Sequence, residues 1–281
     1  MNTQSKTTPN QELIQAARTG LIPIHESGWL GGFDNLFRKE LGEWFGTHRW
    51  LPQSLIWLVI INGLMTFILF IVPLIDPTSV LPAQEALVEA LGIYLGFVSV
   101  FGVIGVIIIA QDEIIREKQS GTAAWVLSKP VSRSAFILTK LLSNAIGTLV
   151  IIVGLTAAVA YGEIYLVTGT ALPVLPFAAS LGVLMIGLVF FLSLTIMLGT
   201  LFEQRGPVLG IAAGVYLGSM IFSYFLPQIG YILPVNVKDI ATAVALQHPL
   251  PVMAYSQLIS AAILSLIFTT TALLRFRREE F

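Results

Sequence analysis

The ionisable residues of this chain are scarce, and where they gather limits the chemistry it can offer. Only 11% of the 281 residues are charged, and the densest run is Gln111 to Arg133, QDEIIREKQSGTAAWVLSKPVSR. Acids and bases are mixed there with a single indole, Trp125, a pattern suited to charge-complementary docking of a partner rather than to bond-breaking. Other chemistries lack their parts. No Gly-Lys dipeptide occurs, so the chain cannot form a phosphate-binding loop of the G-x-x-x-x-G-K-[ST] type. His25, His48 and His248 lie far apart with no ligand spacing around them, so no metal site is expected. With no cysteine there is neither a thiolate nucleophile nor a disulfide framework. A G-x-S-x-G elbow is missing too, and a net charge of −1 provides no basic field for nucleic acid.

The elements that must carry this segment follow from composition. Hydrophobic residues make up 56% of the chain, more apolar surface than so few charges could cover in water. The missing solvent is the lipid bilayer. A charge at the bilayer centre costs roughly 2.5–3.5 kcal/mol, so spans are best read from uncharged gaps. These gaps separate Arg49 from Asp76, Glu89 from Asp112, Lys140 from Glu163, Glu163 from Glu203, Arg205 from Lys238, and Asp239 from Arg275. Each exceeds the roughly 20 residues that a helix needs to cross. Continuous apolarity, without the alternation of barrel strands, makes the expected class all-α. The reading is a polytopic integral membrane protein with six transmembrane helices at about 54–75, 91–111, 136–160, 177–201, 207–227 and 255–274.

Every Lys and Arg except Lys238 falls on one side of these spans, which the positive-inside tendency makes cytoplasmic, with both termini inside and a cell-membrane location. Residues 1–27 lack the apolar stretch of a secretory signal and read as a polar cytoplasmic tail. Residues 28–51 carry Leu30, Phe33, Phe37, Leu41 and Trp44 at helical spacing, the pattern of an amphipathic interfacial helix. A helix packing on the cytoplasmic loops is the alternative. The rest, 52–281, is the six-helix domain.

Within it, residues 112–135 form the one informative polar segment. Span two is expected to run on through Glu117, Gly121 to end it in a left-handed conformation, and Thr122 to cap a short helix reaching Leu127. Pro130 stops that helix, and Ser132 or Ser134 can cap span three. Such a helix would present Trp125, Val126 and Leu127 to the cytosol; a plain connecting loop folded onto the headgroups is the other reading. Glu117 and Arg133 would form a solvated ion pair worth about 0–1 kcal/mol.

The order Glu117, Gly121-Thr122, Leu127, Pro130-Val131-Ser132-Arg133 and Lys140 resembles the signature of the membrane subunits of type-2 ATP-binding-cassette (ABC) exporters. Phe37-Arg38-Lys39-Glu40-Leu41 is similar to the start of the same proteins. The resemblance implies a coupling helix docked on a separate ATPase chain. Gly121, Thr122, Trp125 and Leu127 would form or position it, and Glu117, Pro130, Arg133 and Lys140 would frame it. Glu203 and Arg205, in the turn between spans four and five, would make a smaller second contact. ATP and Mg would then be bound by that partner, this chain would hold no cofactor and catalyse nothing itself, and two permease subunits, identical or related, would face each other.

Two further features bear on assembly. Gly206, Gly210, Gly214 and Gly218 recur every fourth residue in span five, a strip for close helix approach either within the chain or to another subunit. Gly92 and Gly96 form a shorter version in span two, followed by Gly102 and Gly105. Residues 228–253, apolar yet interrupted by prolines, read as a re-entrant helical hairpin on the external side. Asn62, Thr66, Ser99, Asn144, Thr148, Ser193, Thr195, Ser219 and Ser223 are expected mostly to bond between helices. A secondary transporter or membrane scaffold without a nucleotide motor is the rival, though no internal repeat supports it.

Overall fold

The computed structural model describes residues 28–48 and 50–279. The tail expected over 1–27, and Arg49, lie outside them. Among the described residues all regular structure is helical. A first helix, α1 (Phe33–Phe45), precedes six helices long and apolar enough to cross a membrane: α2 (Trp50–Ile75), α3 (Ala83–Ala110), α6 (Arg133–Thr168), α7 (Val174–Leu201), α8 (Arg205–Phe225) and α10 (Ala254–Arg277). Between α3 and α6 lie α4 (Glu113–Gln119) and α5 (Thr122–Leu127); between α8 and α10 lies α9 (Val237–Ala245). Charge-free gaps therefore locate all six long helices. Their ends extend past the gaps because polar and charged residues prolong a helix beyond the hydrocarbon.

The most buried of the long helices is α7, which packs on α3, α9 and α10. Small residues allow several close approaches. A Cβ on Gly105 would fall 2.4 Å from the Trp57 ring, one on Gly147 2.5 Å from the Trp44 ring, and one on Gly187 3.3 Å from Val237. Gly102 meets Leu188 instead, and Gly92 meets nothing within 4 Å, so the span-two glycines do not make one strip.

In α6 the turns widen to π geometry over Thr148–Leu155, and in α2 over Leu58–Gly63 and Phe67–Ile71. Widened turns disturb the i→i−4 ladder, and neighbouring side chains use carbonyls of α6 there. The Tyr94 hydroxyl donates to the Val153 carbonyl at 3.1 Å, and Asn62 Nδ2 donates to the Thr156 carbonyl at 3.0 Å. Thr66 likewise donates across helices, to Glu163 at 2.9 Å.

Four other span hydroxyls and one amide depart from expectation. Ser193, Thr195, Ser219 and Ser223 donate to carbonyls three or four residues back in their own helices, and Asn144 donates to the Lys140 carbonyl one turn earlier. A short hydroxyl side chain reaches its own i−3 or i−4 carbonyl and needs no partner across the interface.

At the far end of the bundle from α4 and α5, the segment after α8 forms a short 3₁₀ turn, Pro227–Tyr231, followed by α9. Val237, Ile240, Ala241 and Ala245 bury one face of α9. Gln257 of α10 secures the linker by donating to the carbonyls of Gly230 at 2.6 Å and Leu233 at 2.9 Å. The broken, helical character expected of 228–253 is present.

Candidate functional site

One end of the bundle gathers α1, α4, α5, the start of α6, the turn between α7 and α8, and the end of α10. Its centre is Lys140, about two turns into α6 and only 1% exposed. The ammonium donates to Glu40 of α1 at 2.7 Å, to Glu113 of α4 at 3.3 Å, and to Glu117 of α4. A lysine has three donors, and here each meets a carboxylate. Lys39 adds a rim to the cluster, 3.2 Å from Glu40, 3.2 Å from Glu43 and 3.9 Å from Glu117, while Arg116 lies 3.7 Å from Glu113. Burial works against the charge of Lys39, but the Glu40 and Glu117 carboxylates outweigh it and hold the pKa above the ordinary lysine value.

This geometry corrects three expectations. First, Glu117 does not pair with Arg133: it is buried and belongs to Lys140. Arg133 instead donates to the carbonyls of Arg277 and Glu279, both at 2.6 Å, at the end of α10. A guanidinium at a helix C-terminus satisfies carbonyls that the helix cannot and meets its negative dipole end. Second, span two runs on to Gln119 as expected, but not as one regular helix. Gln111 and Asp112 interrupt it, and Asp112 leaves helical geometry with φ −117° and ψ 1°. The step turns Glu113 and Glu117, one helical turn apart, toward Lys140. Third, α1 ends at Phe45 rather than continuing to Leu51. It buries Leu36 and Glu40 and packs against α6, while Phe33, Phe37, Leu41 and Trp44 stay half-buried.

Glu40, though part of the Phe37–Leu41 motif, and Glu113 are not among the site residues that the sequence motifs point to. A findable signal existed: a lysine placed inside an apolar span must meet carboxylates, and Glu113 and Glu117 sit four residues apart on one helix face.

The short helix hangs from this cluster. Gly121 has φ +74°, and a Cβ there would touch nothing within 4 Å, so the left-handed backbone alone calls for glycine. Gly121 is itself the residue that starts α5. Thr122 is the first helical residue, not the cap, and its hydroxyl lies 2.8 Å from that of Ser120. Ala123 and Val126 turn inward, Leu127 is half-buried, and Trp125 is 61% exposed with the Lys129 ammonium 3.6 Å over its ring. Val126 is thus removed from the outward face that the sequence suggested.

Ser132, two residues past Pro130, holds the turn before α1, its amide donating to the Gly31 carbonyl at 2.9 Å. Ser132 caps α6 by accepting from the Ala135 amide at 3.0 Å, and its hydroxyl donates to the Trp29 carbonyl at 2.7 Å. Gly32, at φ +73°, lies so close that a Cβ would be 2.8 Å from Val131.

The second expected contact lies beside the first. Gln119 Nε2 donates to the Glu203 carbonyl at 2.8 Å, and an open groove of about 480 Å³ runs between Lys118, Ala124, Glu203 and Gln204. Arg205 is exposed at the start of α8. The C-terminal segment borders the same groove, where Glu279 receives Lys118 at 2.6 Å. Of the strip on α8, Gly206, Gly210 and Gly214 have no neighbour within 4 Å of a Cβ, and Gly218 meets only Phe222 of its own helix. Among the described residues no other helix packs against that strip.

Six apolar helices of spanning length, joined at one end by a buried ionic cluster and an exposed short helix, define a multi-pass membrane protein. The chain belongs to the DUF2705 family, described as a protein of unknown function, whose family model matches residues 80–281. No curated protein matches it.

Proposed function

We propose that this chain is the membrane-spanning permease subunit of an ATP-driven ABC exporter, with hydrolysis performed by a separate cytoplasmic ATPase subunit that binds ATP and Mg. The observation that carries the reading is α5: an exposed Trp125 on a six-residue helix, anchored through α4 to a buried Lys140. A force applied at Trp125 would pass through Glu113 and Glu117 to α6 and α1 together, as a rigid lever between motor and bundle requires. Supporting it, the turn at Glu203–Arg205 sits beside the same groove and would widen the docking face.

On this reading the end that carries α5 faces the cytoplasm of a cell membrane, with both termini on that side, as the distribution of Lys and Arg favours. The unpartnered strip Gly206–Gly210–Gly214–Gly218 would receive a second permease subunit, identical or related, and the substrate route would lie between the two. The segment over 228–253 would form its external cover. Export, as the direction of transport, rests on the family resemblance.

Gentle solubilisation followed by affinity purification tests the proposal. An ATPase chain should be recovered with the wild type and lost with Trp125→Asp and with Gly121→Pro, while the variants remain inserted. Full transport-linked hydrolysis by both variants, or uphill transport by the purified chain alone, would overturn it.

A further inference from the structure

At the far end of the bundle from the Lys140 cluster, α3, α8 and the segment around the start of α9 enclose an open groove of about 650 Å³. Its charged groups are Glu89 of α3 and Lys238 and Asp239 of α9, and none of the three has an ion-pair partner among the described residues. Their depth makes this costly. The Lys238 stem lies 3.6 Å from the place a Cβ on Gly96 would take. Gly96 is seven residues past Glu89 in the charge-free stretch of α3, about 10 Å deeper at 1.5 Å per residue. A charge at such depth is met by a counter-charge or by the polar contents of a cavity. No counter-charge is bonded here, so the groove must supply the polar contents.

Tyr216 of α8 points independently to a ligand. It lines the groove, is only 7% exposed and stands edge-on to Phe191, yet its hydroxyl has no hydrogen-bond partner among the described residues. The Ser99 hydroxyl on the α3 wall is unbonded as well. Asn236, the remaining polar group of the wall, turns its amide nitrogen to Met253 Sδ at 3.7 Å. Along α3 the wall then passes from Glu89 through Ile93 and Phe97 to Val100, from charge toward hydrocarbon, with Met220 of α8 on the apolar side. That gradient matches a membrane lipid.

We infer that this groove binds a zwitterionic phospholipid. The phosphate answers Lys238, the cationic head answers Glu89 and Asp239, the ester oxygens accept from Tyr216 and Ser99, and the chains follow Phe97, Val100 and Met220. Charge selects the class. With two carboxylates against one ammonium, a net anionic lipid is repelled, while a diacylglycerol leaves all three charges unanswered. At about 30 Å³ per water, the volume holds a headgroup and the upper chain segments, the rest of the chains lying in the bilayer. Tyr216 and Met220 are each two residues past a glycine of the α8 strip, about 200° around that helix. A subunit docked on the strip therefore leaves the groove open to lipid. The inference does not depend on the transporter reading.

The test is native mass spectrometry of the purified full chain in dodecyl maltoside, with dioleoylphosphatidylcholine, dioleoylphosphatidylglycerol or dioleoylglycerol added in turn. The wild type should retain one phosphatidylcholine about tenfold more tightly than either other lipid. Gly92→Leu fills the groove from α3, where a Cβ meets nothing within 4 Å, and should abolish retention while the lipid-free melting temperature stays unchanged. Glu89→Gln and Lys238→Gln, both at exposed positions, should each weaken retention about tenfold, the size of a lost charged hydrogen bond, and they serve if Gly92→Leu does not fold. Glycerophosphocholine, the head without chains, should not displace the lipid; displacement by it would assign the site to a soluble zwitterion and overturn the lipid assignment. Equal retention of the three lipids, the mark of an unselective lipid belt, would overturn the proposal, as would undiminished retention in Gly92→Leu or in both charge variants.

Discussion

The Lys140 ammonium and the Glu40 carboxylate, 100 positions apart in the chain, meet at 2.7 Å with both side chains almost entirely buried. Removing one member of a buried ionic set strands the others without compensation, at about 3–5 kcal/mol. Lys140→Met should therefore lower the thermal unfolding temperature in detergent sharply. Adding Glu40→Gln, Glu113→Gln and Glu117→Gln should return most of that loss, since an apolar or neutral replacement of the whole set is close to neutral. An unaltered melting temperature in the single variant would refute the burial of this cluster.

Gly121→Ala isolates the backbone cost. Open space surrounds the added methyl, so only the left-handed conformation resists it, at about 1–2 kcal/mol. Faster amide exchange confined to 113–127 is the expected signature; unchanged exchange there would contradict the φ of this residue.

Arg133→Ala should loosen the end of α10. Its guanidinium holds the Arg277 and Glu279 carbonyls, and hydrogen bonds to a charged group contribute about 1.5–3 kcal/mol. Limited trypsinolysis after Arg275 and Arg277 should accelerate about tenfold, with cleavage elsewhere unchanged.

A pair of glycine substitutions separates packing inside the chain from packing between chains. Gly105→Ala drives a methyl into Trp57 and should destabilise the isolated chain by about 1–3 kcal/mol. Gly210→Ala meets nothing among the described residues and should leave the melting temperature unchanged while, on the proposed pairing of permease subunits, reducing cross-linking between them in native membranes. Equal effects on stability would remove the distinction.

Lys39 gives a pH dependence with a defined sign. Because its pKa is raised on folding, the stabilisation from its carboxylate neighbours is complete below the ordinary lysine value of 10.5 and is lost as pH climbs through the folded value. The difference in melting temperature between wild type and Lys39→Met should be flat from pH 7 to 10 and shrink above 10.5.

Much of the fold can be read from the chain because a single quantity, the cost of charge in hydrocarbon, dictates it; the apolar stretch of every long helix lies in a gap between charged residues. Local backbone rules served as well: Gly121 ends α4, and Ser132 starts α6. Tertiary choices were hidden. Nothing local tells Arg133 to prefer carbonyls of α10 over Glu117, because those carbonyls arrive from 143 to 146 residues away. The break at Gln111–Asp112 has no glycine or proline to announce it, and it decides which way Glu113 and Glu117 point. Sequence periodicity marked the aromatic side of α1 as its apolar face, whereas a buried ion pair drew Glu40 inward.

The clasp of the N-terminal turn on Val131 and Ser132 also orders the making of this protein. During synthesis α1 emerges early but has no counterpart until the third long helix is translated. At roughly 5–20 residues per second, Glu40 waits about 5–20 s for its lysine. Through that interval the aromatic face, and Glu40 with only Lys39 beside it, must be sheltered by the ribosome, the insertion machinery or the headgroups. A nascent chain stalled before residue 132 would leave the first helix undocked.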